Sequence, residues 1–136
     1  MDAIEKYFKD GRELNGAATV REITDLEKRL GTNFPDDYKS FLTQINGFEG
    51  TIGKSYVRLH GVEEIEECTL SYCSEFYPDK ICIGTDGGGE LFVIEKTNRN
   101  QKYGVVPAIG DTNDYIELGD TLDKFLRRLS DGLFPE

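Results

Sequence analysis

The spacing of apolar residues changes twice along this chain, and those changes limit what it can fold into. From Val20 to Ile45 apolar side chains recur at helical intervals. From Ser55 to Leu118 they alternate or run in short blocks, and from Leu122 to Leu129 the helical interval returns. A period of 3.6 residues puts a stripe on one side of a helix, whereas a period of two puts a face on one side of a strand. Helices, then a run of short strands, then a helix is the order of an α+β domain rather than an alternating α/β sheet.

The helical segments carry signals at their ends. Thr19 with Glu22 three residues later makes a capping box, and Val20, Ile23, Leu26 and Leu30 follow before Gly31 stops the helix. Pro35 suits the start of the next helix, where its missing N–H would be unpaired anyway. Asp36 and Asp37 lie in that first turn, where the helix dipole favours acids. Tyr38, Phe41, Leu42 and Ile45 form the buried stripe, and Asn46-Gly47 ends it. A shorter helix is expected over Asp2 to Lys9, followed by a loop bracketed by Gly11 and Gly16.

In the β half, Ser55 to His60 places Val57 and Leu59 opposite Tyr56, Arg58 and His60. Val62 to Phe76 stays ambiguous, with helical spacing at Val62 and Ile65. Lys80 to Gly84 and Leu91 to Ile94 read as a hairpin around Thr85-Asp86-Gly87-Gly88-Gly89-Glu90. The unbroken apolar run Leu91 to Ile94 suits a strand covered on both faces. Further strands are expected at Tyr103 to Val106 and Asp114 to Leu118. Thr121 or Asp120 then caps a helix through Leu122, Phe125, Leu126 and Leu129 that Gly132 stops. The expected architecture is one α+β domain over residues 1–136, with a mostly antiparallel central sheet carrying N-terminal helices and a C-terminal helix.

Charge narrows the partners. Lys and Arg number 16 against 26 Asp and Glu, a net charge of −10. Such a surface repels phosphate backbones and anionic membranes, so neither nucleic acid nor membrane is an expected partner. A basic protein surface is attracted instead, although acidity also serves solubility alone. Met1-Asp2-Ala3-Ile4-Glu5-Lys6 lacks the basic start and apolar run of a signal peptide, and no window approaches the roughly 20 apolar residues of a membrane span. A cytoplasmic protein is expected. Three cysteines, Cys68, Cys73 and Cys82, make an odd count without a paired pattern, as expected of reduced thiols.

Catalytic and metal chemistry find little support. The glycine run at Gly87 to Gly89 is followed by a strand, not by the helix a phosphate loop needs, so a tight turn is the better account. Asp86 and Glu90 alone do not make a calcium loop. The spacing of His60, Cys68, Cys73 and Cys82 matches no zinc finger or ribbon, and no nucleophile turn surrounds a cysteine. No catalytic residue, metal or cofactor is therefore expected. Glu63, Glu64, Glu66 and Glu67 form either a solvated face or a docking patch for a basic partner. Glu49, Asp86 and Glu90, which flank turns, complete the candidate partner-binding set. Phe48, between Gly47 and Glu49-Gly50, is either a core plug or an exposed anchor, and burial is the usual fate of Phe.

Certain stretches together resemble the SUKH superfamily, which holds bacterial immunity proteins and a fungal cell-wall-assembly regulator. They are Ile23 to Glu27 with Leu30-Gly31, Phe34-Pro35-Asp36-Asp37-Tyr38 through Leu42, Asn46-Gly47, Ile83 to Glu90, and the helix around Phe125-Leu126. The resemblance spans about Val20 to Leu129. The chain departs from it in having no tryptophan, where relatives often place one after the Asn-Gly turn, and in carrying Glu90 where many have Asp. The resemblance implies a central sheet with helices packed on it and, in bacteria, neutralisation of a toxin, commonly a nuclease. That would make the protein a non-catalytic immunity module for a basic toxin domain. The alternatives are a regulatory scaffold of the same fold and, less favoured, a small hydrolase.

Overall fold

Each strand of this protein pairs antiparallel with its neighbour in sequence, so the sheet is a seven-stranded meander in chain order, as a computed structural model shows. The structure describes residues 6–96, 100–110 and 112–132. The strands are β1 (Asp10–Glu13), β2 (Phe48–Ile52), β3 (Ser55–Leu59), β4 (Lys80–Thr85), β5 (Glu90–Glu95), β6 (Tyr103–Pro107) and β7 (Ile116–Gly119). The helices are α1 (Val20–Leu30), α2 (Asp36–Leu42), α3 (Val62–Cys68) and α4 (Leu122–Asp131). Beyond Cys68, α3 continues through a π-helical stretch, Thr69–Cys73, and a last turn, Ser74–Phe76. The class is α+β, as expected.

The helix ends follow the local rules. Thr19 and Glu22 form the reciprocal capping box, and Gly31 takes the left-handed conformation at φ 70°. Thr121 accepts from the Lys124 N–H at the start of α4. Among the expected segments, Val62 to Phe76 resolves as helix. The stretch Asp2 to Glu5 lies outside the described residues, and Lys6–Phe8 is a single 3-10 turn. The final strand begins at Ile116, after a 3-10 turn over Thr112–Asp114.

Two strands arise where a loop or a turn was expected. All four residues of β1 are exposed, so it has no apolar alternation to read. It exists because β2 offers an edge: Gly11 faces Gly50 across the pair. A Cβ on Gly11 would come within 2.3 Å of the Glu49 carbonyl oxygen, and one on Gly50 within 2.4 Å of the Asp10 carbonyl oxygen. The paired glycines let the backbones approach. In β2, Phe48 is 1% exposed, which makes it a core plug.

The β5 run Leu91 to Ile94 is buried on both faces, as its composition predicts. Phe92 and Ile94 enter a large core with α1, α2 and α4, while Leu91 and Val93 enter a smaller core with Cys73, Tyr77, Cys82 and Val106. The α3 extension supplies Cys73 to this second core. It covers the β4–β6 part of that face and leaves the β1–β3 part bare.

Asn46 joins the two halves. Buried to 1% exposure, it accepts the first N–H of α3, from Val62, at 2.8 Å. Its amide donates to the Gly16 carbonyl at 3.1 Å and to Glu63 at 3.2 Å. Asn46→Ala is expected to lower stability by about 2 kcal/mol, because it leaves buried polar groups unpaired and removes a cap from α3. Urea unfolding followed by circular dichroism measures this directly.

Candidate protein-binding face

The bare part of the second sheet face is a charged and aromatic strip. Side chains on alternate residues of neighbouring strands fall side by side there, because Glu49 pairs with Arg12 and with Arg58 in the register. Glu49 accepts from Arg12 Nη2 at 2.9 Å and lies 3.6 Å from Arg58. Its other oxygen accepts the Tyr56 hydroxyl at 2.5 Å. Arg58 donates in turn to Glu64 of α3 at 2.9 Å. Arg12, Glu49, Arg58 and Glu64 thus form one continuous chain of alternating charge.

These contacts set the protonation of the strip. The Tyr56 hydrogen bond, followed by that of Arg12, holds the Glu49 carboxyl below the usual carboxylate range. Partial burial pushes Glu64 up, but the hydrogen bond and charge of Arg58 outweigh it, and Glu64 also ends below that range. Both are anions at neutral pH, and both are already neutralised by arginines. The expected field of free carboxylates is therefore thinner here than the sequence suggests.

The remaining acids of α3 lie around a groove of about 420 Å³ lined by Arg29, Val62, Glu63, Glu66, Glu67 and Leu70, with Ser71 at its end. It forms because α1 packs on α3. Arg29 of α1 donates to Glu66 at 3.0 Å, Glu63 receives Asn46, and Glu67 is exposed. Leu70 is 60% exposed, with Tyr72 and Phe76 also exposed further along the α3 extension. The π-helical stretch shifts the helical phase between Glu67 and Ser74, so the apolar side chains that follow are not a continuation of the α3 core stripe.

At the β4–β5 turn, Asp86 serves the turn itself. Its Oδ1 accepts the N–H of Gly88 at 2.7 Å and of Glu90 at 3.1 Å, while Gly87 and Gly89 take positive φ. This is the tight turn expected of the glycines. Gly87 to Gly89 are exposed, so the turn stands on the surface and not in a cleft. It adjoins the strip: a Cβ on Gly87 would lie 3.1 Å from the Tyr56 ring.

The turn carries like charges at close quarters. Burial first, then the charges of Asp86 and Asp114, raise the Glu90 carboxyl above its ordinary value. A raised carboxylate stabilises the fold only while protonated, and that contribution fades as pH rises through the folded value. Glu90→Gln is therefore expected to raise stability at pH 7 by less than about 0.5 kcal/mol after solvent screening, seen as a slightly higher melting temperature. The gain should vanish at acid pH, once Glu90 is protonated in both the folded and the unfolded chain. Thermal melts at the two pH values test the sign.

The cysteines differ from the expectation of separate reduced thiols. Cys68 and Cys82 are joined as a disulfide, with Cα atoms 5.8 Å apart and a sequence separation of 14. Neither spacing nor count signals this, because α3 folds back over β4 only in the tertiary structure. Cys73 is free and buried, and burial pushes its thiol up to about 12, which leaves it unreactive.

The family follows from comparison with known proteins. The model of the SMI1 / KNR4 family (SUKH-1) matches residues 17–128. The chain belongs to that family. It is also 32% identical over 126 residues to the uncharacterized protein YnaB of Bacillus subtilis (strain 168), an alignment covering 90% of this chain and 79% of YnaB. The SUKH-1 match runs from just before α1 into α4, so it takes in the groove, the β4–β5 turn and all of the strip except Arg12 in β1. Membership supports an immunity-type or regulatory protein-binding role. Among the described residues, no helix of this SUKH-1 chain is long and apolar enough to cross a membrane.

The sequence pointed to the acids but missed the residues that organise them. Arg12, Arg29 and Arg58 pair with Glu49, Glu66 and Glu64 across 37, 37 and six residues of sequence. Tyr56 was legible as the polar face of β3, and Leu70 carries no signal of exposure in a segment whose period is ambiguous.

Proposed function

We propose that this protein is a cytoplasmic, non-catalytic immunity protein that binds and neutralises a cognate basic toxin domain, of nuclease type. The observation that carries this reading is the groove between α1 and α3. There Glu63, Glu66 and Glu67 line the groove with the exposed Leu70, and Arg29 offsets only Glu66, so an apolar anchor sits beside a net acidic rim. A lysine or arginine of the partner can lay its aliphatic stem on Leu70 and its charge among the carboxylates. Glu49 and Glu64, with Tyr56 and Arg58, extend the contact area, and Asp86 and Glu90 border it at the turn. Repulsion around Glu90 is relieved when a cation approaches, which adds a local reason to bind a basic surface. The net charge of −10 draws such a partner from a distance.

The test uses a basic toxin domain encoded by a gene adjoining that of this protein. Co-expression is expected to rescue growth, and the purified pair to associate at a rate that falls steeply with added salt. Glu63, Glu66 and Glu67 changed together to Lys should slow association at low salt by at least about tenfold, with the fold intact by circular dichroism. Absence of rescue from the neighbouring toxin rejects the immunity reading. Recovery of the protein in a stable housekeeping assembly instead favours a regulatory adaptor.

A further inference from the structure

Directly beneath the α3 acids, the fold gathers a set of ligand atoms that the proposed binding role does not use. A ring nitrogen of His60 and the sulfurs of Cys68 and Cys82 all lie within 4.8 Å of one another. We propose that His60, Cys68 and Cys82, once the disulfide is reduced, form a binding site for one thiophilic divalent cation of the zinc class.

The three residues reach this point from three elements that are held there by other bonds. His60 follows β3, and its N–H donates to the Ile83 carbonyl at 2.8 Å. Cys82 lies in β4 beside a register shift, and its N–H donates to Thr69 Oγ1 at 3.0 Å, at the start of the π-helical stretch. Cys68 ends α3, immediately before Thr69. The backbone of the site is thus ordered independently of any ion, which lowers the ordering penalty on binding.

The chemistry of the set suits this cation. Two thiolates and an imidazole are the ligand types of zinc, at about 2.3 Å for sulfur and about 2.0–2.1 Å for nitrogen. Tetrahedral angles at those lengths put the sulfurs about 3.8 Å apart and each sulfur about 3.5 Å from the nitrogen. Reduction lets the bonded sulfurs part toward van der Waals contact, close to that spacing. His60 is 9% exposed, and its Nδ1 makes no hydrogen bond, so the ring holds an unused polar atom in a buried position. Glu64 Oε2 lies 3.9 Å from Nδ1, beyond hydrogen-bond distance, and accepts from Arg58 instead, so it leaves that nitrogen unpaired. Cys82 is fully buried, whereas Cys68 is half-buried and gives the ion a route of entry.

The balance is simple. A phosphine and water convert the disulfide into two thiols and a phosphine oxide. The cation then displaces two protons to give the dithiolate complex. Oxidation to the disulfide consumes both sulfur ligands, so the oxidised protein cannot hold the ion.

Cobalt(II) titration of the full chain tests this. Phosphine-reduced protein, freed of reductant, is expected to bind one Co²⁺ per chain. The signature is thiolate-to-cobalt charge transfer in the near ultraviolet and intense visible bands of tetrahedral cobalt, both lost when equimolar Zn²⁺ is added. The unreduced protein should show neither. Cys68→Ser and His60→Ala should weaken binding by more than about 100-fold, since changes behind the ligands alone cost about 10–100-fold. Cys73→Ala should leave the spectrum unchanged. Cys68 is partly exposed, so its serine variant should fold and remains decisive if His60→Ala does not. An octahedral cobalt spectrum in the reduced wild-type protein overturns the proposal. So does one ion shared by two chains, or a Cys68→Ser variant with full affinity.

Discussion

Phe125→Ala is expected to remove about 3–5 kcal/mol of stability, a large part of the roughly 5–15 kcal/mol that holds a typical domain together. Phe125 is wholly buried and fixes α4 to the sheet through two rings. It stacks on Tyr103 of β6 at 5.3 Å and meets Phe92 of β5 edge-on at 5.6 Å. Truncation leaves a cavity walled by rigid strands that cannot close over it, so both the transfer and the cavity contributions are felt. Urea unfolding with linear extrapolation should give the loss as a lower midpoint at unchanged slope. Leu70→Ala is the matched control. Leu70 is 60% exposed, and its truncation should stay within about 0.5 kcal/mol. A Phe125→Ala loss below about 1 kcal/mol would show that α4 is not packed on the sheet as described.

Asp37→Ala is expected to cost about 3 kcal/mol, for a reason that helix rules do not contain. One oxygen of Asp37 accepts the Tyr103 hydroxyl at 2.6 Å, and the other accepts the first N–H of α4, from Leu122, at 2.7 Å. The residue brackets α2, β6 and α4 together across 66 and 85 residues of sequence. Burial, followed by the charge and hydrogen bond of Asp37, pushes the Tyr103 hydroxyl far above its ordinary range, so it stays protonated and donates. Removing the carboxylate strands that hydroxyl and a helix-starting N–H, and buried donors left unpaired cost about 1–3 kcal/mol each. Adding Tyr103→Phe to Asp37→Ala should recover part of the loss, because the stranded hydroxyl disappears. A double-mutant cycle measures that coupling. Strict additivity would rule out the bracket.

The neighbouring Asp36 shows why this was hidden. Both acids occupy the first turn of α2, and the dipole argument treats them alike. Asp36 is fully exposed and, among the described residues, reaches Lys39 at 3.7 Å, whereas Asp37 points into the junction of three elements. Local rules state that an acid belongs in that turn, but cannot say which one finds distant donors. The same limit applies to the candidate site. Glu63, Glu66 and Glu67 were legible as an acidic run, yet the groove exists only because α1 brings Arg29 against α3. Glu49 and Glu64 looked like free charges until strand register set Arg12 and Arg58 beside them. His60, Cys68 and Cys82 looked scattered because their spacing along the chain has no motif, and their meeting depends on α3 lying over β4.

Taken alone, the order of residues determined where α1, α2, α4 and the strands β3 to β6 run and how the helices end. The capping box at Thr19 and Glu22, the stop at Gly31, the cap at Thr121 and the two-sided burial of Leu91 to Ile94 all act within a few residues, so a short window carries them. Tertiary structure decided the rest: the exposed edge strand β1, the choice of Asp37 over Asp36, the arginine partners of the acids, and the meeting of His60 with two cysteines. Those features depend on backbones far apart in sequence coming within hydrogen-bond or ligand distance, and only closure of the whole sheet under its helices sets that distance.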